Sequence, residues 1–214
     1  MARIDLKWDE PKLNGYDNVD PNNFLTALPA SYRDAGRPIL VFLTSELPED
    51  GQEMKNVEAT TLRDEKVAIG ATLFSQIKLN GVKFTDSNPY WKTIGGKELP
   101  RMIVVDAAGS KVGTVEGKDI SPSKVFGLMK RAASRTFKTD LDTVVSETKT
   151  ILTEIDQIEA KRAALATKKA KSTVAKEAEW AKEEKTLSEQ LKAVEAREAE
   201  LKKKWTEERK VTKA

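Results

Sequence analysis

The sequence contains no cysteine and no histidine. The first absence excludes disulfides, thiolate nucleophiles and thiolate metal sites. The second removes the commonest metal ligand and the only side chain that titrates near neutrality without perturbation. A Ser-His-Asp site, a zinc hydrolase and a haem site with a histidine ligand are therefore all excluded. Proton transfer would fall to Asp, Glu, Lys or Tyr, and no set of acid, base and nucleophile among them can be named. No enzymatic activity, no cofactor and no metal site are expected. Long apolar runs are missing too: nothing approaches about 18 consecutive apolar residues, so membrane insertion is not expected. Met1 to Glu10 has no apolar run of signal-peptide length, which predicts a cytoplasmic location.

Glycine and proline are missing from one part only. Both are spread through 1–127, and neither occurs in the 87 residues after Gly127. Charged residues make up 33% and apolar ones 39%, with a mean hydropathy of −0.53, low for one compact globule. Part of the chain should be heavily solvated. The net charge of +3 is too small to imply nucleic-acid binding by itself, so electrostatic arguments must rest on local clusters. The chain divides into an irregular segment over 1–20, an α/β domain over 21–135, and a charged α-helical segment over 138–214.

The first domain alternates strand and helix patterns. Residues 22–35 suit a helix disturbed by Pro29 and ending at Gly36. Pro38 to Thr44 is a continuous apolar run, as in a strand buried on both faces. Residues 51–66 suit a helix, with Met54, Val57 and Leu62 near helical spacing. Leu73 to Leu79 alternates as a strand, and 80–98 is rich in loop residues. Met102 to Asp106, a turn at Ala107 to Ser110, and Lys111 to Glu116 form a hairpin. Ser121-Pro122 then opens a helix through Arg131, with proline in the first turn where its missing N–H costs nothing.

The run Pro38 to Ser45, with its polar loop and helix, resembles the first strand and active-site helix of thioredoxin-like proteins. Leu99-Pro100-Arg101-Met102-Ile103-Val104-Val105-Asp106, the Gly109 turn and Val112 to Gly117 resemble that fold's C-terminal hairpin. The resemblance covers about residues 20–135, and the hairpin half is the more specific. It implies a central mixed sheet flanked by helices. It also implies a Cys-x-x-Cys motif between first strand and helix, which falls on Pro48 and Gly51 here, so thiol redox chemistry is lost. Glu46, Glu49 and Asp50 would oppose a thiolate in any case. The family's proline before the hairpin strand, usually cis, matches Pro100. Two readings stay open there: Pro100 shapes the start of a strand, or Leu99, Pro100 and Arg101 form a peptide-binding loop. Tyr90 and Trp91 are similarly either cover for a local core or interface aromatics.

The segment 138–214 holds 18 Lys/Arg and 16 Asp/Glu, with Ala, Glu, Lys and Leu dominant, the composition of long helices and coiled coils. Apolar residues recur at spacings of three and four, from Val144 through Ile151, Ile155, Ile158 and Leu165, and from Trp180 through Leu187, Leu191, Val194, Leu201 and Trp205. The two seams are out of phase by one residue, which suits a helical hairpin with a turn over 168–174 or a stutter in one extended helix. If the chain turns near Lys171, facing residue numbers add to about 342. Phe137 then meets Trp205, Leu141 meets Leu201, Ile151 meets Leu191, Ile155 meets Leu187 and Arg162 meets Trp180, with Ser172-Thr173 capping the returning helix. The tip is basic: Lys161, Arg162, Lys168, Lys169, Lys171 and Lys176 contain no acid among them. It is either a solvated turn or a contact for phosphate or an acidic protein.

These features favour a non-catalytic interaction, scaffold or assembly component whose helical segment binds a protein partner or itself. A nucleic-acid or ribosome-associated factor using the basic tip is the second reading. A chaperone-like binding module is the third.

Overall fold

The computed structural model describes residues 4–14, 20–84, 86–171 and 176–207. They form two compact units, one ending at Val144 and one running from Val145 to Glu207.

In the first unit, residues 4–14 are irregular apart from a parallel bridge between Asp9 and Ile77. The Asp9 N–H donates to the Gln76 carbonyl at 2.9 Å, and Trp8 packs on Phe42 with centroids 5.6 Å apart. The helix expected over 22–35 is split. Phe24–Ala27 is a 3₁₀ turn capped by Asn23, and α1 (Ala30–Ala35) starts only after Pro29. Proline has no N–H to continue a helix, and Gly36 stops α1 in the left-handed region at φ 56°.

Strand β1 (Ile39–Thr44) is buried along its whole length, as its apolar run requires. The helix expected over 51–66 is two. Helix α2 (Gly51–Ala59) stops at Thr60, whose hydroxyl turns back to donate to the Asn56 carbonyl at 2.6 Å. Helix α3 (Glu65–Ala71) restarts behind Asp64, whose side chain accepts the Val67 N–H at 3.0 Å. That carboxylate satisfies a donor the helix start cannot pair internally. After β2 (Ser75–Asn80), the expected loop contains a 3₁₀ turn at Gly81–Lys83 and a short α4 (Trp91–Ile94). Strands β3 (Arg101–Val105) and β4 (Lys111–Glu116) make the hairpin, and α5 (Pro122–Thr136) runs five residues past Arg131.

The sheet order is β2-β1-β3-β4, with β1 and β2 parallel and β3 antiparallel to both neighbours. Phe24, Leu28, Val41, Ile77, Tyr90 and Ile103 form the core on one face. On the other, α3 and α5 lie so close that a Cβ at Gly70 would sit 3.0 Å from Met129 and 3.4 Å from Leu141. A parallel strand pair joined by helices, followed by an antiparallel hairpin and a closing helix, is the thioredoxin-like arrangement.

Helix α6 (Leu141–Lys171) begins at Asp140, whose carboxylate accepts the Thr143 N–H at 2.9 Å and its hydroxyl at 2.7 Å. Its first turn, to Val144, belongs to the first unit. Phe137 and Leu141 are therefore not part of a helical seam as expected: both are buried in the first unit, Leu141 over Gly70.

In the second unit α6 and α7 (Glu177–Glu207) lie antiparallel. Lys169 pairs with Glu184 at 2.5 Å and Arg197 with Glu154 at 2.5 Å, so numbers rise along one helix as they fall along the other. These partners add to 353 and 351, not 342. At this register Ile151 comes level with Leu201, Ile158 with Val194, and Leu165 with Leu187, all in one apolar cluster joined by Ile155, Trp180 and Leu191. The expected pairs Ile151 with Leu191 and Ile155 with Leu187 belong to that cluster but are out of level. A shift of about ten residues equals a heptad plus three, which again faces apolar residues with apolar ones. Charge breaks the tie. The basic stretch at the end of α6 lies against the acidic start of α7, where the helix dipoles also favour those signs. Lys168, Lys169 and Lys171 are within the last turn of α6 rather than in a connecting turn. Ser172 and Thr173 lie outside the described residues.

Candidate functional site

The C-terminal ends of β1 and β2 emerge side by side, with Thr44 level with Asn80. Ligands of open α/β sheets bind at this pole. Beyond Thr44 the chain passes Ser45, whose hydroxyl accepts the Leu47 N–H at 3.1 Å, and tightens into a 3₁₀ turn at Pro48–Asp50 that leads into α2. Pro48 opens this turn and Gly51 is the first residue of α2. A Cβ placed on Gly51 meets nothing within 4 Å, so a side chain would fit there.

The loop opposite carries a cis Leu99–Pro100 bond directly before β3. Its geometry is held by Arg101, which is 3% exposed. Nη1 donates to the Ile94 carbonyl at 2.8 Å and Nη2 to the Glu98 carbonyl at 3.0 Å. Glu116 approaches Nε to 3.6 Å, a charge contact rather than a hydrogen bond, while its Oε2 accepts the Lys97 and Glu98 N–H groups at 2.7 and 2.9 Å. Burial pushes the Arg101 guanidinium below the usual arginine range, and Glu116 beside it acts in the opposite direction. Gly96 makes the arrangement possible, since a Cβ there would fall 2.5 Å from Arg101 Nε. Arg101 is thus not a peptide-binding side chain. Its charge is consumed in fixing the loop. Pro100 is buried and Leu99 is half-buried against the core, above Gly81.

Between turn and loop lies an open cleft of about 510 Å³. Leu47, Glu49, Asp50 and Glu53 form one wall, and Lys97, Leu99 and Lys118 line the other. Leu47 is 41% exposed, and Val82, just past the end of β2, is 42% exposed. Among the described residues these are the exposed large apolar side chains; Leu47 lines the cleft with Leu99, and Val82 follows Gly81, over which Leu99 packs. Sequence reasoning missed them because isolated Leu and Val residues in polar loops carry no periodic signal. Tyr90 is core, 1% exposed and edge-on to Phe24 at 6.2 Å; Trp91 is half-buried beside Gly95.

The basic residues of α6 are not an unopposed patch. Lys169 holds Glu184, Arg162 lies within electrostatic reach of the same carboxylate, and Lys176 approaches Glu179 at 3.9 Å. The hydrogen bond from Lys169 and its charge keep the Glu184 carboxyl below the usual glutamate range. Lys161, Lys168 and Lys171 are exposed. On the seam, Ile151, Ile158, Leu165, Leu187, Val194 and Trp205 are buried, whereas Ile155, Trp180, Leu191 and Leu201 are half-buried. Among the described residues no three acidic side chains converge as a metal site, and no helix is long and apolar enough to cross a membrane.

No family model matches the sequence, and no curated protein matches it. Among the solved structures similar to part of the chain are three thiol-redox proteins. A thioredoxin from Thermus thermophilus aligns over 48% of this chain and 78% of its own, at 19% identity and a TM-score of 0.36. The oxidised C-terminal domain of DsbD from Neisseria meningitidis aligns over 48% and 90%, at 17% identity and 0.36. A DsbH oxidoreductase aligns over 61% and 86%, at 12% identity and 0.38.

Proposed function

We propose that the chain is a redox-inactive thioredoxin-like protein acting as a non-catalytic interaction or assembly component, with its helical segment as the main binding surface. One observation carries this: the chain has the sheet, the turn after β1 and the cis-proline loop of a thioredoxin-like fold but no cysteine, with Pro48 and Gly51 taken as the positions where the thiols would stand. A scaffold kept without its reactive groups acts through surfaces. Exposed Lys, Arg, Asp and Glu side chains recur along both helices of that segment.

A second reading is favoured by Leu47 and Leu99. The cleft beside them would take an extended peptide carrying an apolar side chain next to a basic one, matched to Glu49, Asp50 and Glu53. The nucleic-acid reading is weaker, because acids of α7 oppose the cations of α6 and no aromatic is interleaved for base stacking.

The test is photo-crosslinking with the full chain, carrying a photoreactive residue at exposed Lys182 or at Leu47, in extract of the native source at low and high salt. Protein adducts from position 182 support the proposal. Adducts only from position 47 move the function to the cleft, and nucleic-acid adducts that vanish with salt would favour the nucleic-acid reading.

A further inference from the structure

We infer that the partner of the helical segment is a second copy of this chain, docked antiparallel about a twofold axis through the middle of the segment. This rests on the interaction role proposed above and names its partner. An open groove of about 300 Å³ runs between α6 and α7, lined by Glu154, Gln157, Ile158, Lys161, Gln190 and Ala193, with Val194 at its floor. These residues sit at the mid-length of both helices. Ile158 and Val194 are buried, whereas Gln157, Lys161, Gln190 and Ala193 are exposed. Ala193 allows close approach, and the two glutamines can each donate and accept across the axis.

The charges on either side of this groove are opposite. Residues 160–190 hold eight Lys/Arg and five Asp/Glu, a formal charge of +3. Residues 145–159 with 191–207 hold six Lys/Arg and eight Asp/Glu, a formal charge of −2. A twofold axis across the groove lays each half on the opposite half of the other copy. An axis along the helices would instead lay positive on positive. The same axis makes α6 antiparallel to its counterpart and sets Glu154 opposite Lys161 reciprocally, the self-complementarity that a twofold interface requires. Every helix is then antiparallel to its neighbours, the geometry of an up-and-down four-helix bundle.

The absence of cysteine makes the test clean. Light scattering on the full chain should give about twice 23.8 kDa, falling toward that single mass as salt is raised. Ala193→Arg, an exposed position, should give the single mass with unchanged helical circular dichroism. Gln157→Cys should be captured as a covalent dimer by a short bis-maleimide, whereas Lys168→Cys, about 30 Å from its counterpart at 1.5 Å per residue, should not. A monomeric wild type, a dimer indifferent to Ala193→Arg, or crosslinking at 168 instead of 157 would each overturn the inference. Should the wild type be monomeric while position 182 still captures another protein, this inference falls and the interaction role stands.

Discussion

Arg101 shows how much one side chain can decide. In the sequence it is a basic residue between Pro100 and a strand, easily read as a contact for a partner. In the fold it is buried, with two carbonyls and a carboxylate gathered around its guanidinium. Removing it leaves those acceptors without donors, and breaking a buried charged network in this way costs about 3–5 kcal/mol. Arg101→Ala should lower the unfolding free energy by that amount in a denaturant titration, and Arg101→Lys should recover only part, since an ammonium cannot reproduce the fork. A fall below about 1 kcal/mol would show the clamp to be incidental. Asp140 is the complementary surface case: the N-cap of α6, exposed, with two bonds to Thr143. Asp140→Ala should cost about 1 kcal/mol, read as a lower thermal midpoint, while Asp140→Ser should be nearly silent.

Among the elements, the turn into α2 has room for side chains it does not carry. Gly51 has open space at its Cβ, so Pro48→Cys with Gly51→Cys should be accommodated. A helix N-terminus ordinarily depresses a thiol pKa. Here Glu49 and Asp50 lie within the same turn and oppose the thiolate. The first thiol should therefore titrate above about 8 by thiolate absorbance. A value near 6 would mean that the helix terminus outweighs the carboxylates. The hairpin turn has the opposite character, because it cannot be changed. Gly109 sits at φ +90°, and a Cβ there would fall 1.8 Å from Asn23 Oδ1. Asp106 accepts the Ala108 and Ser110 N–H groups at 3.1 and 2.9 Å while Arg135 of α5 donates to its other oxygen at 2.9 Å.

Over the whole molecule, the pairing of the long helices depends on charges far apart in sequence. Lys169→Glu should loosen the helical pair, and adding Glu184→Lys should restore it, measured by hydrogen exchange over 160–190. The effect is pH-dependent with a definite sign. The Glu184 pKa is lowered by Lys169, so the pairing contributes fully above the ordinary glutamate value of about 4.3 and is lost as pH falls through the lowered folded value. Protection over this stretch, taken relative to intrinsic exchange at each pH, should drop as pH falls through the lowered Glu184 value in the wild type and show no such step in Lys169→Glu.

The sequence by itself determined what this chain cannot do, because chemistry absent from the composition is absent from every fold. It also determined β1, the hairpin and the existence of two long helices, where apolar runs and seams leave little choice. The breaks at Pro29 and Thr60 were half legible: the proline announces itself, whereas Asp64 reads as a cap only once its helix is known. Only the tertiary structure decided the register of the helical pair, since seams three and four residues apart overlay equally well at several offsets and cross-helix ion pairs choose among them. It alone decided that Phe137 and Leu141 serve the first unit and that Arg101 is consumed internally. Periodicity records which residues seek burial. It does not record which surface buries them.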